Sequence, residues 1–490
     1  MSFLHRRELL TGALGLAAGG ALPGGSRRAK LTALTGVTLI DGSGAAPVRG
    51  ATVLLAGDRI VAAGRRVRAP SEANVIDLRG KYVIPGLWDT HTHSATLTDI
   101  VPPLHVVHGV TCIREMAGSP ESHEVRRRIE RGELVGPRMV IASNLIDGPP
   151  GAWPGSDVVT TEAEARAAVR KAHRERADFA KVYTYLAPDT YAAVASEARR
   201  LRLPFAGHVP ARVPVQDAVR LGQHSVEHLY GLRMSTSARA AEIYAELAAM
   251  PADPAHPEWW GRRWWHLERD AVATYDPARA ARLFDAMARR GTWASPTLAT
   301  LQRFRRTPED LLTDPVLTAR LRYIPASVRG WWEEEVLYYR PRLSPEEVQR
   351  WAAYFQAQLR LLGAMAEAGV GVVAGTDAGG AYIFPGFDLH TELGFLVEAG
   401  LSPMAALRAA SAEAARCAGL GRVSGTVTAG RFADLVILDA DPLADIANTR
   451  RIHAVVSRGR YLGPDARASL LAAVETAARK DTPAVRSPTG

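Results

Sequence analysis

The chain has 490 residues, 47% hydrophobic and 23% charged, which is enough to bury a large core and excludes a disordered or fibrous reading. Residues 1–30 carry five Lys/Arg against one Glu, so about +5 of the formal charge of +9 is left for the rest of the chain. No basic block with interleaved aromatics occurs in it, which argues against nucleic acid as a partner. Cys112 and Cys417 lie in apolar stretches without a CxxC partner, so neither a disulfide framework nor a cysteine zinc site is expected.

At the N-terminus, "HRRELLTGALGLAAGGALPGG" sets Arg6 and Arg7 before a weakly apolar segment from Leu9 to about Pro23. That segment is too short and Gly-rich to span a bilayer stably. The pattern resembles a twin-arginine export signal, giving an expectation of a periplasmic or extracellular protein; the alternative is a frayed cationic end. No later run reaches ~18 uninterrupted apolar residues, so no membrane span is expected.

Short alternating segments follow from Leu31, "LTALTGVTLID", "GATVLLAGDRIVAAG" and "ANVIDLRGKYVIP", parted by Gly-rich or Pro-containing turns. The same texture returns in "GTVTAGRFADLVILDADPLADI" and "RIHAVVSRGRYLG", so residues 31–84 and 421–465 are expected to pair in one sandwich-like β domain, with 466–490 as a tail. Between them, over 85–420, eight strand-like runs alternate with helical patterns: "GLWDTHTH", "VTCIREM", "RMVIAS", "FAKVYTY", "PFAGHV", "SVEHLY", "TWASPTL" and "GVVAGTDA". The helices include "TEAEARAAVRKAHRER" and "VQRWAAYFQAQLRLLGAMAEAG", with apolar residues near i, i+3, i+4 spacing. Eight strands joined by helices make an α/β fold of the TIM-like (β/α)8 barrel type. The span exceeds the ~250 residues usual for that fold, and the excess lies in two helical insertions at about 231–290 and 300–345, around "HPEWWGRRWWHLERD" and "ASVRGWWEEEVLYYRPRL". They read as a cover over the active-site face or as a packed insertion that supports a homo-oligomer.

His91 and His93 alternate with Thr92, so on a strand both point the same way and can share an ion. HxH alone is a weak signal. Lys181 lies inside an apolar strand, where a lone ammonium is costly. His208, His228 and Asp377 stand where later strands end, the place from which barrel enzymes assemble their sites.

The ordered set His91, His93, Lys181, His208, His228 and Asp377 resembles the amidohydrolase superfamily over nearly the whole chain. "KVYTYL", "GHVP", "SVEHL" and "LHTELGFLVEAGLSPMAALRAAS" are similar to its imidazolonepropionase-like and prolidase-like branch, and Lys181 points to the binuclear, prolidase-like type. The resemblance implies an N6-carboxylated Lys181 bridging two divalent ions, with His91, His93 and Asp377 on the first and His208 and His228 on the second. Zinc is implied, with cobalt and manganese also compatible. It further implies that Asp377 passes a proton from a shared water to the leaving nitrogen, in hydrolysis of an amide or related C–N bond of a small molecule, a dipeptide or N-acyl amino acid. Lactone or phosphotriester hydrolysis by the same centre is the first alternative; a non-catalytic scaffold is the second, opposed by all six positions being filled.

Four further residues are candidates for substrate contact, and Tyr230 for catalysis. Tyr230, two residues after His228, can reach an oxyanion or a carboxylate or pack under the insertion. Tyr183 shares the strand parity of Lys181 and lines the pocket or the core. Arg233 pairs with a substrate carboxylate or makes an exposed salt bridge. Several relatives carry a His-Gly element after the third strand; here "SNLIDGPPGAWPGS" has no histidine, and Asn144 and Trp153 are the candidates for its role. His390 reads as a capping or packing residue.

Overall fold

The structure, a computed structural model, describes residues 30–93, 95–250, 257–339 and 344–480. The export signal expected in residues 1–30 thus lies, apart from Lys30, outside the described residues. Among those described, no helix is long and apolar enough to cross a membrane.

Five strands come first: β1 (Leu31–Leu39), β2 (Val48–Ala56), β3 (Arg59–Gly64), β4 (Asn74–Asp77) and β5 (Tyr82–Pro85). Eight follow in the body of the chain: β6 (Leu87–Thr92), β7 (Val110–Glu115), β8 (Arg138–Asp147), β9 (Asp157–Val158), β10 (Phe179–Val182), β11 (Phe205–Gly207), β12 (Ser225–Glu227) and β13 (Trp293–Ser295). The last three are β14 (Leu435–Leu438), β15 (Ile452–Ser457) and β16 (Arg460–Leu462).

The two ends of the chain share one sheet, ordered β16-β15-β14-β5-β1-β2-β3, with β4 beside β1. Its junction is the antiparallel pair β5–β14, with Ile84 opposite Val436. Alternation sends Leu34, Val53, Val83, Leu435, Ile437 and Val456 into one shared core, while Ile84, Val436 and Val455 join the barrel's core. The expected tail begins differently: Pro464–Arg479 is a helix whose Val474 and Ala478 pack on Ile100, Val101 and Leu104.

The second sheet is parallel, in the order β13-β12-β11-β10-β8-β7-β6, with β9 on β8. Its strands are buried on both faces, β6, β7 and β10 along their whole length, as a parallel sheet wrapped in helices requires. The eighth run, "GVVAGTDA", is not a regular strand. It closes the ring through single bridges, Val372 to Ala294 and Ala378 to Thr92, and through the N–H of Thr90 donating to Ala374 O at 2.9 Å. Its glycines explain the irregularity: a Cβ on Gly375 would stand 2.7 Å from Ser295 Oγ and 2.9 Å from His91 Cβ, so the segment approaches both neighbours more closely than a side chain permits.

Several helices begin where the sequence supplies caps. Thr161 and Glu164 form a reciprocal capping box at Glu162–Arg174, and Ser344 with Glu347 does so at Pro345–Glu367. Two groups of helices interrupt the barrel order after β12 and β13. Helices Leu232–Ser235, Ala240–Ala249 and Pro257–Asp270 lie between β12 and the barrel helix Pro277–Arg290, and Pro308–Thr313, Pro315–Arg320 and Ala326–Tyr339 follow β13. Leu311, Ile324, Trp332 and Val336 pack on Ala381, Tyr382 and Phe384, just beyond Asp377. Trp264 and Trp265 each lie 5.1 Å, centroid to centroid, from Tyr230. The insertions therefore cover the mouth of the barrel.

Candidate metal centre

The six polar residues singled out in the strands come together at this mouth. His91 lies in β6 with His93 just past its end, Lys181 lies in β10, and His208 and His228 directly follow β11 and β12. Asp377 is in the closing segment. The Nε2 atoms of His91 and His93 stand 3.4 and 3.2 Å from Asp377 Oδ1. The His228 ring lies 4.6 Å from that of His91 and 4.9 Å from that of His208. His91, His228 and Asp377 each offer a ligand atom within 4.8 Å of one another.

Backbone conformation aims two of these groups. Strict alternation would turn Glu227 and His228 to opposite faces. His228 and Leu229 instead take left-handed backbone, φ 59° each, and Asp377 does the same at φ 65°. Such conformations cost of order 1–3 kcal/mol in residues with a Cβ and persist where surrounding contacts hold them.

The ring nitrogens are sorted as metal binding requires. Nδ1 of His91 meets Glu227 Oε2 at 2.8 Å, Nδ1 of His208 meets Thr184 Oγ1 at 2.7 Å, and Nδ1 of His228 meets Thr297 Oγ1 at 2.6 Å. Facing an ionised carboxylate, Nδ1 of His91 donates and its Nε2 keeps the lone pair; the Thr184 and Thr297 hydroxyls can accept from Nδ1 of His208 and His228, the tautomer that leaves Nε2 of each for an ion. Within this group of six side chains, two buried atoms have no hydrogen-bond partner among the described residues, His208 Nε2 and Lys181 Nζ. Lys181 is fully buried, and burial pulls its amine down to about 8, with the charges of Glu227 and Asp377 opposing and Arg114 assisting. Burial likewise drives His91 and His208 well below the usual imidazole range and His228 down to about 4. These three rings are thus neutral at pH 7, the form that ligates. Burial acts to raise Asp377, but the hydrogen bond from His93 and the charges of His228 and His91 outweigh it and hold the carboxylate well below its ordinary value. Neutral imidazoles, an ionised carboxylate and an unpartnered buried amine fit divalent ions of the zinc, cobalt or manganese kind.

Several residues without a motif complete the site. Glu227 is fully buried; its Oε1 accepts from Arg114 Nη2 at 2.8 Å and from Ser225 Oγ. Asp89 accepts from the N–H of His91 and of Thr376 and from Thr376 Oγ1 at 2.6 Å, clasping the first strand to the segment that carries Asp377. The rule that marks Lys181, a charge inside an apolar strand, applies equally to Asp89, Arg114 and Glu227. Thr184 and Thr297 have no such signal.

The substrate candidates divide. Tyr183 stacks on His208 at 3.9 Å and lies 5.6 Å from Lys181 Nζ, and its Oη accepts from Trp153 Nε1 at 2.6 Å, so Trp153 reaches the centre through Tyr183. Tyr230 sits 4.7 Å from His228 and 5.1 Å from His208. Asn144 instead ties down its own loop, donating to Gly155 O at 2.7 Å. Arg233 is not in an exposed salt bridge. It is buried under the cover, where Nε donates to Gln358 Oε1 at 2.9 Å. His390 is a packing residue, bonded to Thr449 Oγ1 and His108 O.

A sequence model described as "Amidohydrolase family" matches residues 82–462. An imidazolonepropionase of Streptomyces griseus is 44% identical over 46 residues, 9% of this chain; the match spans 12% of that protein's own length. Among solved structures, a bottromycin amidohydrolase superposes with a TM-score of 0.71 at 26% identity, over 92% of this chain and 91% of that one. A Xaa-Pro dipeptidase with bound methionine gives 0.62 at 20% identity, over 89% and 100%. The ochratoxinase of A. niger gives 0.62 at 19%, over 89% and 96%. The last two likenesses speak to fold alone.

Proposed function

Because the chain belongs to the amidohydrolase family and is a hydrolase, we propose that it cleaves an amide or related C–N bond of a dipeptide or an N-acyl amino acid at a two-ion centre in the barrel mouth. In this reading His91, His93 and Asp377 hold one divalent ion, zinc in the first instance, and His208 and His228 the other. The neutral amine of Lys181 would add CO2 and release a proton, and the resulting carbamate would supply the anionic ligand that a pair of ions needs. The single observation that carries the reading is the convergence of three imidazoles, each with Nδ1 engaged, on one buried amine that has no hydrogen-bond partner among the described residues.

Bound ions supply a nucleophilic water at neutral pH and polarise the carbonyl under attack. The chain's own groups do the rest. The Asp377 carboxylate, ionised and aimed at the centre by its left-handed backbone, accepts a proton and delivers it to the departing nitrogen. The Tyr230 phenol, kept protonated by burial and by the nearby charge of Asp377, donates to the oxyanion or to the substrate carboxylate. Trp264 and Trp265 close over Tyr230 and keep water from that side.

The test is a turnover comparison on dipeptides, N-acyl amino acids, lactones and phosphotriesters with the zinc-loaded enzyme. Cleavage of the first two supports the reading; cleavage of only the last two replaces the bond while keeping the centre. Export through Arg6 and Arg7 is part of the same proposal, supported by their place before a short apolar segment; replacing both with lysine should retain the protein in the cytoplasm.

A further inference from the structure

The three buried imidazoles are anchored by different chemistry. Thr184 and Thr297 meet His208 and His228 with neutral hydroxyls, whereas His91 meets a carboxylate. That carboxylate is divided in its duties. Glu227 Oε1 takes the bonds from Arg114 and Ser225, which leaves Oε2 for His91. Arg114 is braced in turn on the backbone next to His91, its Nε donating to Thr90 O at 2.6 Å. The relay joins β7, β12 and β6 within the barrel, and its three side chains are each no more than 3% exposed. A hydrogen bond to an ionised acceptor is roughly twice as strong as one between neutral groups, and a carboxylate behind an imidazole fixes its tautomer and raises its basicity toward an ion.

We infer that Glu227 is a positioning residue that makes the two ion positions unequal. Acting through His91, it makes the position of His91, His93 and Asp377 the tight one and leaves that of His208 and His228 the exchangeable one. The inference rests on the two-ion reading. Titration of the metal-stripped full chain with Zn2+ alone, bicarbonate present, separates the two. Wild type should bind two ions in steps about tenfold or more apart. Glu227→Gln, which keeps an acceptor but loses the charge, should weaken the tight step about 10- to 100-fold. The metal-free variant should melt within a few degrees of wild type, and excess zinc should restore its kcat. Thr184→Val and Thr297→Val preserve shape and should weaken only the loose step, so they decide the matter if Glu227→Gln does not fold. Two equal steps in wild type, an unchanged tight step in Glu227→Gln, or a tight step weakened by either threonine variant overturns the inference. Binding of fewer than two ions by wild type overturns the two-ion reading itself.

Discussion

At the barrel mouth Lys181, Glu227 and Arg114 are buried together; under the helical cover Arg233, Glu268 and Gln358 are buried together as well. Both groups hold a cation and a carboxylate away from water, and both are strongly perturbed. Burial lowers Lys181 to about 8 and Arg233 to about 10. It raises Glu268 to about 8, against the pull of Arg233 and of the backbone N–H groups of Arg233, Met234 and Gly231. What separates them is direction. At the mouth the donor atoms come from different strands and point at one place. Under the cover, Arg233 donates to Gln358, and Gln358 to Tyr354 at 2.7 Å, so the bonds run sideways into a packing network. Perturbed ionisation marks both regions; convergence on one place distinguishes the first, and the proposed function rests on it.

Substitutions can break that contrast. The largest effect is expected for Lys181→Ala, which should abolish turnover and reduce bound zinc, as read by metal analysis of the purified variant. A pH profile sharpens the same point. On the proposed reading the amine must be neutral to take up CO2, and its value of about 8 means that the neutral fraction grows as pH rises through that point. The rate at which zinc and bicarbonate reactivate stripped enzyme should therefore climb between about pH 7 and pH 9 and then level off. A flat profile would separate reactivation from this amine.

Asp377→Asn should come next, lowering kcat by about 10²- to 10⁴-fold, measured at saturating zinc so that weaker metal binding does not contribute. Tyr230→Phe removes one donor without changing the packing against Trp264 and Trp265, and should lower kcat by about 10²-fold. An unchanged kcat would leave Tyr230 as part of the cover.

The smallest effect on turnover belongs to the cover. Glu268→Gln should leave kcat near wild type and change stability with pH. The carboxyl in the folded protein titrates near 8 against a reference of 4.5. Below 4.5 both folded and unfolded states are protonated. As pH rises through the interval the unfolded chain ionises first, so wild type loses stability until about pH 8. The advantage of Glu268→Gln should accordingly be absent near pH 4, grow to a few kcal/mol at most by pH 8 (about 1.4 kcal/mol per unit), and show in thermal melts at the two pH values.

Much of this molecule is legible in its residue order. The parallel strands show as apolar runs because both faces are buried, and the helices announce themselves by period and by capping pairs such as Thr161 with Glu164. His91, His93, His208 and His228 stand at or just past strand ends, Lys181 within the short β10 and Asp377 in the closing segment, and a barrel gathers these places at one mouth. Local pattern does not carry the closing segment, which reads as an eighth strand. Its glycines let it approach Ser295 and His91 too closely for a regular ladder, a distance set by its neighbours.

Tertiary structure alone decides the anchoring of the imidazoles. Glu227 and Thr297 come from adjacent strands and their loops, and Thr184 and His208 lie 24 residues apart; an ordinary threonine has no sequence feature that says which ring it will face. The same holds for Arg233, whose neighbours in sequence suggest a solvated surface but whose partner, Gln358, lies 125 residues away. Periodicity and the high cost of a buried charge are local rules, so the sequence by itself determined seven of the barrel strands, most helices and the polar residues that gather at the mouth. Which lone pairs face inward, and which buried charge serves chemistry instead of packing, depends on side chains brought together from distant segments, and only the closed barrel and its cover decided that.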